Sequence, residues 1–183
     1  VESRRMPNLY RTLIALLSIT SVHAGVAEVK EIQYHGGVVT FSVPKHWVEE
    51  YEPDGGAVFY QISPNSGTLR LSVITAKAPK PLSDDAAFEQ LVAMKSVKAT
   101  SAQRLKNGNA IATSIQHSSE EGQSITVFWW HVTNPVRPSH MRIAVFSYTV
   151  HTAQERSAVV KREVELLTES ITNAKFHPTL GQE

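Results

Sequence analysis

Two neighbouring segments, Ser124–Val132 and Met141–Val150, are apolar on both faces of an alternating pattern. Ile125, Val127 and Trp129 point one way, and Phe128, Trp130 and Val132 the other. In the second segment Ile143 and Val145 oppose Ala144, Phe146 and Tyr148. An antiparallel sheet with one wet face alternates apolar with polar residues. These two segments do not, so they predict central strands covered on both sides, as in a sheet with helices on each face.

The remaining elements fit around that pair. Val29–Tyr34 and Val38–Val43 flank Gly36-Gly37, and Pro44 stops the second strand because it has no N–H for the ladder. Pro53-Asp54-Gly55-Gly56 turns into a strand at Ala57–Ile62, and Asn65-Ser66-Gly67 into one at Thr68–Ala76. This stretch reads as a meander of hairpins. Ser83, Asp84 and Asp85 mark a helix start, with Ser83 capping and the aspartates at the positive end of the dipole, and the helix runs to about Val97. A strand at Ala110–His117 reverses at Glu120-Glu121-Gly122 into Ser124–Val132, which sets His117 near Ser124 and His131 near Ala110. Thr152-Ala153-Gln154-Glu155 matches a capping box, followed by Val160, Val164, Leu167, Ile171 and Ala174 on one helical face. The expected fold is α+β: an antiparallel sheet of about six or seven strands covered by helices on both faces, an α/β/α sandwich.

The N-terminus is read separately from that fold. Arg4, Arg5 and Arg11 precede a short apolar run from Leu13 to Ile19, and Val22-His23-Ala24 has the form of a processing site. This is the layout of a secretory signal peptide over residues 1–24, cleaved between Ala24 and Gly25, with a cut after Ala27 as an alternative. The apolar run is about 11 residues, short of the ~20 that span a bilayer as a helix, so a retained anchor is the weaker reading. The expected destination is the periplasm or the extracellular space, with no integral membrane span after processing. No linker, charge block or repeat divides residues 25–183, which read as one globular domain.

Composition narrows the chemistry. The chain has no cysteine, which excludes disulfides, thiolate metal sites, cysteine nucleophiles and a lipidated N-terminal cysteine. Removing residues 1–24 removes three basic residues and one acidic, taking the formal net charge from +1 to −1. Nucleic acid is therefore not an expected partner. Of the seven histidines left, none forms H-E-x-x-H. His131 and His140 flank one connection, but a metal needs a third and usually a fourth ligand. Glu50, Glu52 and Asp54 have the alternation of a calcium loop but lack its glycine and closing glutamate, so a solvated strand edge is expected. There is no G-x-S-x-G, S-x-x-K, Walker A or G-x-G-x-x-G. No catalytic residue, metal site or cofactor is assigned. Trp47, at a strand end after Pro44-Lys45-His46, is the candidate binding residue, expected to stay half exposed.

Phe41-Ser42-Val43-Pro44-Lys45-His46-Trp47 resembles the opening of PsbP-like and DcrB-like domains, in which an apolar strand ends in proline and is followed by tryptophan. The element order over residues 29–176 is also similar. The resemblance implies a sheet sandwiched between helices in a family of non-enzymatic extrinsic subunits, envelope proteins and chaperone-like adaptors, with no shared catalytic residues. The expected role is that of an exported, non-catalytic accessory or adaptor domain that binds another protein. A small-ligand carrier and a secreted hydrolase are the alternatives.

Overall fold

A computed structural model describes residues 28–179, so the expected signal peptide over residues 1–24 and its cleavage site at Ala24 and Gly25 lie outside the described residues. Ten strands and two α-helices follow in the order β1 (Val29–Tyr34), β2 (Val39–Pro44), β3 (Val48–Tyr51), β4 (Ala57–Tyr60), β5 (Thr68–Lys77), α1 (Ala86–Ala93), β6 (Ala102–Arg104), β7 (Ala110–Glu120), β8 (Gln123–Val136), β9 (His140–His151), α2 (Ala158–Thr172) and β10 (Lys175–Phe176). Seven strands form one antiparallel sheet in the order β3-β4-β5-β9-β8-β7-β6. The two segments that are apolar on both faces, β8 and β9, lie at its centre, as their pattern requires.

The first hairpin departs from the predicted meander. β1 and β2 pair with β10 in a separate three-stranded sheet, order β1-β2-β10. Pro44 ends β2, and the chain turns tightly, with the Trp47 N–H donating to the Pro44 carbonyl at 3.0 Å, before entering the other sheet. The small sheet then lies over the large one, with Phe41 edge-on to Phe59 and Phe146 at centroid separations of 5.4 and 5.2 Å.

Helices lie on both faces. α2 joins the small sheet on one face, burying Val160, Leu167 and Ile171. The Trp130 indole donates to Thr168 Oγ1 at 3.1 Å, and the Ser170 hydroxyl bridges the backbone N–H and carbonyl of Ser42 at 2.7 and 2.8 Å. On the opposite face α1 sets Ala87 and Leu91 against Ala110 and Ala112, mainly over β6–β8.

Both helix starts differ from the sequence reading. α2 begins at Ala158 rather than after Thr152, capped by Ser157, whose hydroxyl accepts from the Val160 N–H at 3.2 Å. Thr152–Gln154 is a 3₁₀ turn, and Glu155 reaches across to Thr126 and His117 at 3.0 and 2.8 Å instead of closing a capping box. At α1, Ser83 bonds the Glu89 side chain at 3.2 Å and caps nothing. Asp85 is held by Arg104 through two bonds of 2.6 Å, and Asp84 by Arg137 at 2.6 Å. The helix stops at Ala93, four residues early, while Met94 and Val97 still pack on it from the following loop.

Candidate binding face

Strand parity divides the large sheet. Phe128, Trp130 and Val132 of β8 and Ala144, Phe146 and Tyr148 of β9 turn toward the small sheet and α2. Their alternates turn the other way, where α1 shields β6 to β8 and the Thr133 hydroxyl donates to the Ala87 carbonyl at 2.6 Å. Farther along the same face the cover ends. Ladder partners there are Ile74 with Ile143, Ser72 with Val145, and Arg70 with Ser147, which also faces Trp129. Ile74 is 61% exposed, and Ile143, Val145 and Trp129 are half-buried. An apolar strip edged by serine hydroxyls thus faces solvent beside α1, a composition that fits a protein contact better than a catalytic cleft. Trp129 stacks on His131, centroids 5.9 Å apart. Burial lowers the His131 pKa below the ordinary histidine value, so its imidazole is neutral at pH 7.

Trp47 is placed differently from expectation. It is 2% exposed, and its ring stacks on Tyr148 at 6.0 Å with an interplanar angle of 16°. The turn after Pro44 directs the indole inward between the two sheets, so the predicted half-exposed side chain is a core residue. Beside it lies the most polar part of the core. The Tyr148 hydroxyl donates to Glu163, accepts from the Gly67 N–H at 2.8 Å, and lies next to Ser66, which donates to Glu163 Oε1 at 2.7 Å. Burial first, then the bond to Glu163, raises the Tyr148 pKa well above the usual tyrosine range. This network holds the β4–β5 loop to α2.

The acidic run is a strand edge, as read. Lys30 pairs with Glu49 at 3.4 Å, Tyr60 donates to Glu50 at 2.6 Å, Arg70 pairs with Glu52 at 2.8 Å, and Asp54 accepts from the Gly56 N–H at 3.3 Å. The histidines stay apart. His117 faces Thr126 and His131 faces Ala112, two residues from the predicted partners, because the reversal is a two-residue turn at Glu121-Gly122. His131 lies opposite Val145, far along the ladder from His140, which faces Val136. Among the described residues no three histidine, aspartate or glutamate side chains converge as metal ligands.

Two open hollows among the described residues are large enough for a ligand. One of about 410 Å³, lined by Ser66, Thr68, Arg70, Glu120, Glu121 and His151, sits at the hairpin end of the sheet. One of about 660 Å³ runs between α2 and the outer face of β1 and β2, past Glu31, Ser42, Arg162, Glu165, Glu169 and Lys175. Both are open rather than enclosed, and the second, which also takes in Val29, Phe41 and Leu166, mixes charged with apolar walls. Ile74 and Ser72 were not singled out in the sequence. Their signal was the outward series Arg70, Ser72, Ile74 and Ala76 of β5, where one isoleucine interrupts polar and small residues.

No protein-family model and no curated protein matches the chain. Among solved structures, a crystal structure of a protein from Bacteroides thetaiotaomicron VPI-5482 matches with a TM-score of 0.55 and 21% identity over 84% of this chain, which spans 50% of that one. LpqN, involved in cell envelope biogenesis of Mycobacterium tuberculosis, matches at 0.50 and 15% identity over 82% of this chain and 91% of its own. Cyanobacterial PsbP (CyanoP) from Synechocystis sp. PCC 6803 aligns over 85% of this chain and 96% of its own at 12% identity, with a TM-score of 0.37. Among the described residues no helix is long and apolar enough to cross a membrane. At these identities the likeness is one of fold: the chain shares its small α+β fold with the Bacteroides protein and with LpqN.

Proposed function

We propose that the chain is an exported, non-catalytic accessory domain that binds another protein through the open face formed by β5 and β9. The observation that carries this reading is the apolar strip of Ile74, Ile143 and Val145, with serines 72 and 147 around it, left uncovered by α1. The open form of both hollows speaks against a small-ligand carrier, whose site is enclosed. Export rests on residues 1–24, and LpqN's part in cell envelope biogenesis supports a place in the envelope. Processing leaves Gly25 as the first residue of the working protein.

A photo-crosslinker at Ser72 should trap one stoichiometric partner in envelope fractions, whereas one at Lys161, on the outer side of α2, should not. Ile74→Arg should weaken capture at least about tenfold, because a charge placed within a desolvated contact costs more than 1 kcal/mol. Its folding stability should change by less than about 0.5 kcal/mol, since the side chain is exposed. Equal trapping from both positions would overturn the assignment of the face. An intact mass that retains the residues before Gly25 in the exported fraction would overturn the processing.

A further inference from the structure

We propose that this chain pairs with a second copy of itself along the outer edge of β7, from Thr113 to Ser119, making one continuous sheet across the two molecules. β6 covers β7 only at Ala110–Ala112. From Thr113 to Glu120 the strand has β8 on one side and, among the described residues, no strand on the other.

The phase of this edge follows from the hairpin. Glu121 and Gly122 both have positive φ, 49° and 79°, and Glu120 faces Gln123 across a two-residue turn. The closing pair of such a turn exchanges both backbone bonds, and these pairs then alternate along the ladder. Even-numbered residues of β7 therefore bond β8, and Thr113, Ile115, His117 and Ser119 point their backbone N–H and carbonyl groups outward. The bond from the Leu105 N–H to the Asn109 carbonyl, 2.8 Å, has the same odd phase on that side.

Most other free edges are guarded, and β5 beyond Leu71, which is also unpaired on its β4 side, carries Lys77. β3 is four residues long and carries Glu49 and Glu50, β6 has three residues and β10 two, and the charged Lys30 of β1 pairs with Glu49. The β7 edge has none of these defences. Its residues 113–119 read Thr-Ser-Ile-Gln-His-Ser-Ser, with no lysine, arginine, acid or proline, and Ile115 is 57% exposed.

A second copy fits this edge in one favoured register. A two-fold axis normal to the sheet pairs residues of equal parity, and β6 blocks any pairing at Ala112. The longest register then sets Thr113 opposite Ser119 and Ile115 opposite His117 of the second copy, with Gln116 on the axis. The two isoleucines become diagonal neighbours on the α2 side, and the two Gln116 amides can bond each other on the opposite side. The same register carries the acidic tip, Glu120 and Glu121, toward the start of β6 on the other molecule. That start is preceded by Lys95 and Lys98, the latter on the turn closed by the Ser101 N–H at 2.9 Å. Charge complementarity thus favours a second copy over an unrelated strand. Both open faces of the pair look to the same side.

Sedimentation of the chain as recovered from cells tests the pairing. The parent should form a dimer at about 100 μM, a concentration that populates even a weak specific contact. Ile115→Pro removes an outward N–H that the monomer does not use, so it should be monomeric with an unchanged circular dichroism spectrum. Ser119→Pro should behave alike. Reversing Glu120 and Glu121 to lysine should weaken the dimer, and adding Lys95→Glu and Lys98→Glu should restore it. A monomeric parent, a dimer that survives Ile115→Pro, or an edge occupied only by another protein's strand would each overturn the proposal. Ile115→Pro should leave trapping from Ser72 intact, which separates this failure from failure of the binding face.

Discussion

Replacing Trp47 with alanine is expected to lower folding stability by about 3–5 kcal/mol, the usual cost of truncating a large buried aromatic. The indole fills the space between the two sheets at 2% exposure and stacks on Tyr148 at 6.0 Å. Natural domains hold only about 5–15 kcal/mol in total, so this loss alone brings the chain close to unfolding. Trp47→Phe should behave differently. The Trp47 Nε1 is buried with no hydrogen-bond partner among the described residues, so phenylalanine keeps an aromatic ring against Tyr148 while removing an unpaired donor. Its cost should stay below about 1.5 kcal/mol. Urea denaturation of the three proteins decides the matter. An alanine variant as stable as the parent would place the ring outside the core.

The burial of Trp47, expected half exposed, shows what a sequence of this kind makes legible. The central position of β8 and β9 was readable because both are apolar on both faces, although the cover expected on the second face stops short of Ile143 and Val145. The covered face of α2 was readable too, since Val160, Leu167 and Ile171 recur at helical spacing. Trp47 was not, because alternation stops at Pro44 and only the tertiary turn decides whether the next aromatic points in or out. The α2 start was misread because Thr152 and Glu155 satisfy a local rule that a distant partner overrides: His117 and Thr126 compete for the same carboxylate. The open face was half legible. Ile143 and Val145 were visible as apolar, but the short length of α1, which leaves them uncovered, depends on where Met94 breaks the helix. The second sheet had no local signal, because β10 is two residues long and its pairing with Val39 and Thr40 spans almost the whole fold.

The polar network beside Trp47 should give the domain a specific weakness at alkaline pH. Folded Tyr148 is held protonated by burial and by donating to Glu163, which raises its pKa well above the ordinary tyrosine value. In the unfolded chain the same hydroxyl ionises near its ordinary value of about 10. The stabilisation is therefore complete below pH ~10 and falls as pH rises through and beyond it, because only the unfolded state releases the proton. Tyr148→Phe removes this dependence and also leaves the Gly67 N–H and a Glu163 oxygen without their partner, at a cost of about 1–3 kcal/mol at neutral pH. Gly67→Ala should be worse. A β-carbon there would lie 2.5 Å from the Thr149 carbonyl oxygen and 2.6 Å from two Tyr148 ring carbons, so either the strand or the ring must move. Overpacking of about 1–3 kcal/mol then adds to the loss of the hydroxyl's bonds, for roughly 3 kcal/mol or more. Thermal unfolding from pH 7 to pH 11 should show a steeper alkaline decline for the parent than for Tyr148→Phe. Equal declines would mean that Tyr148 titrates freely in the folded state and that the β4–β5 loop is not fastened to α2 through it.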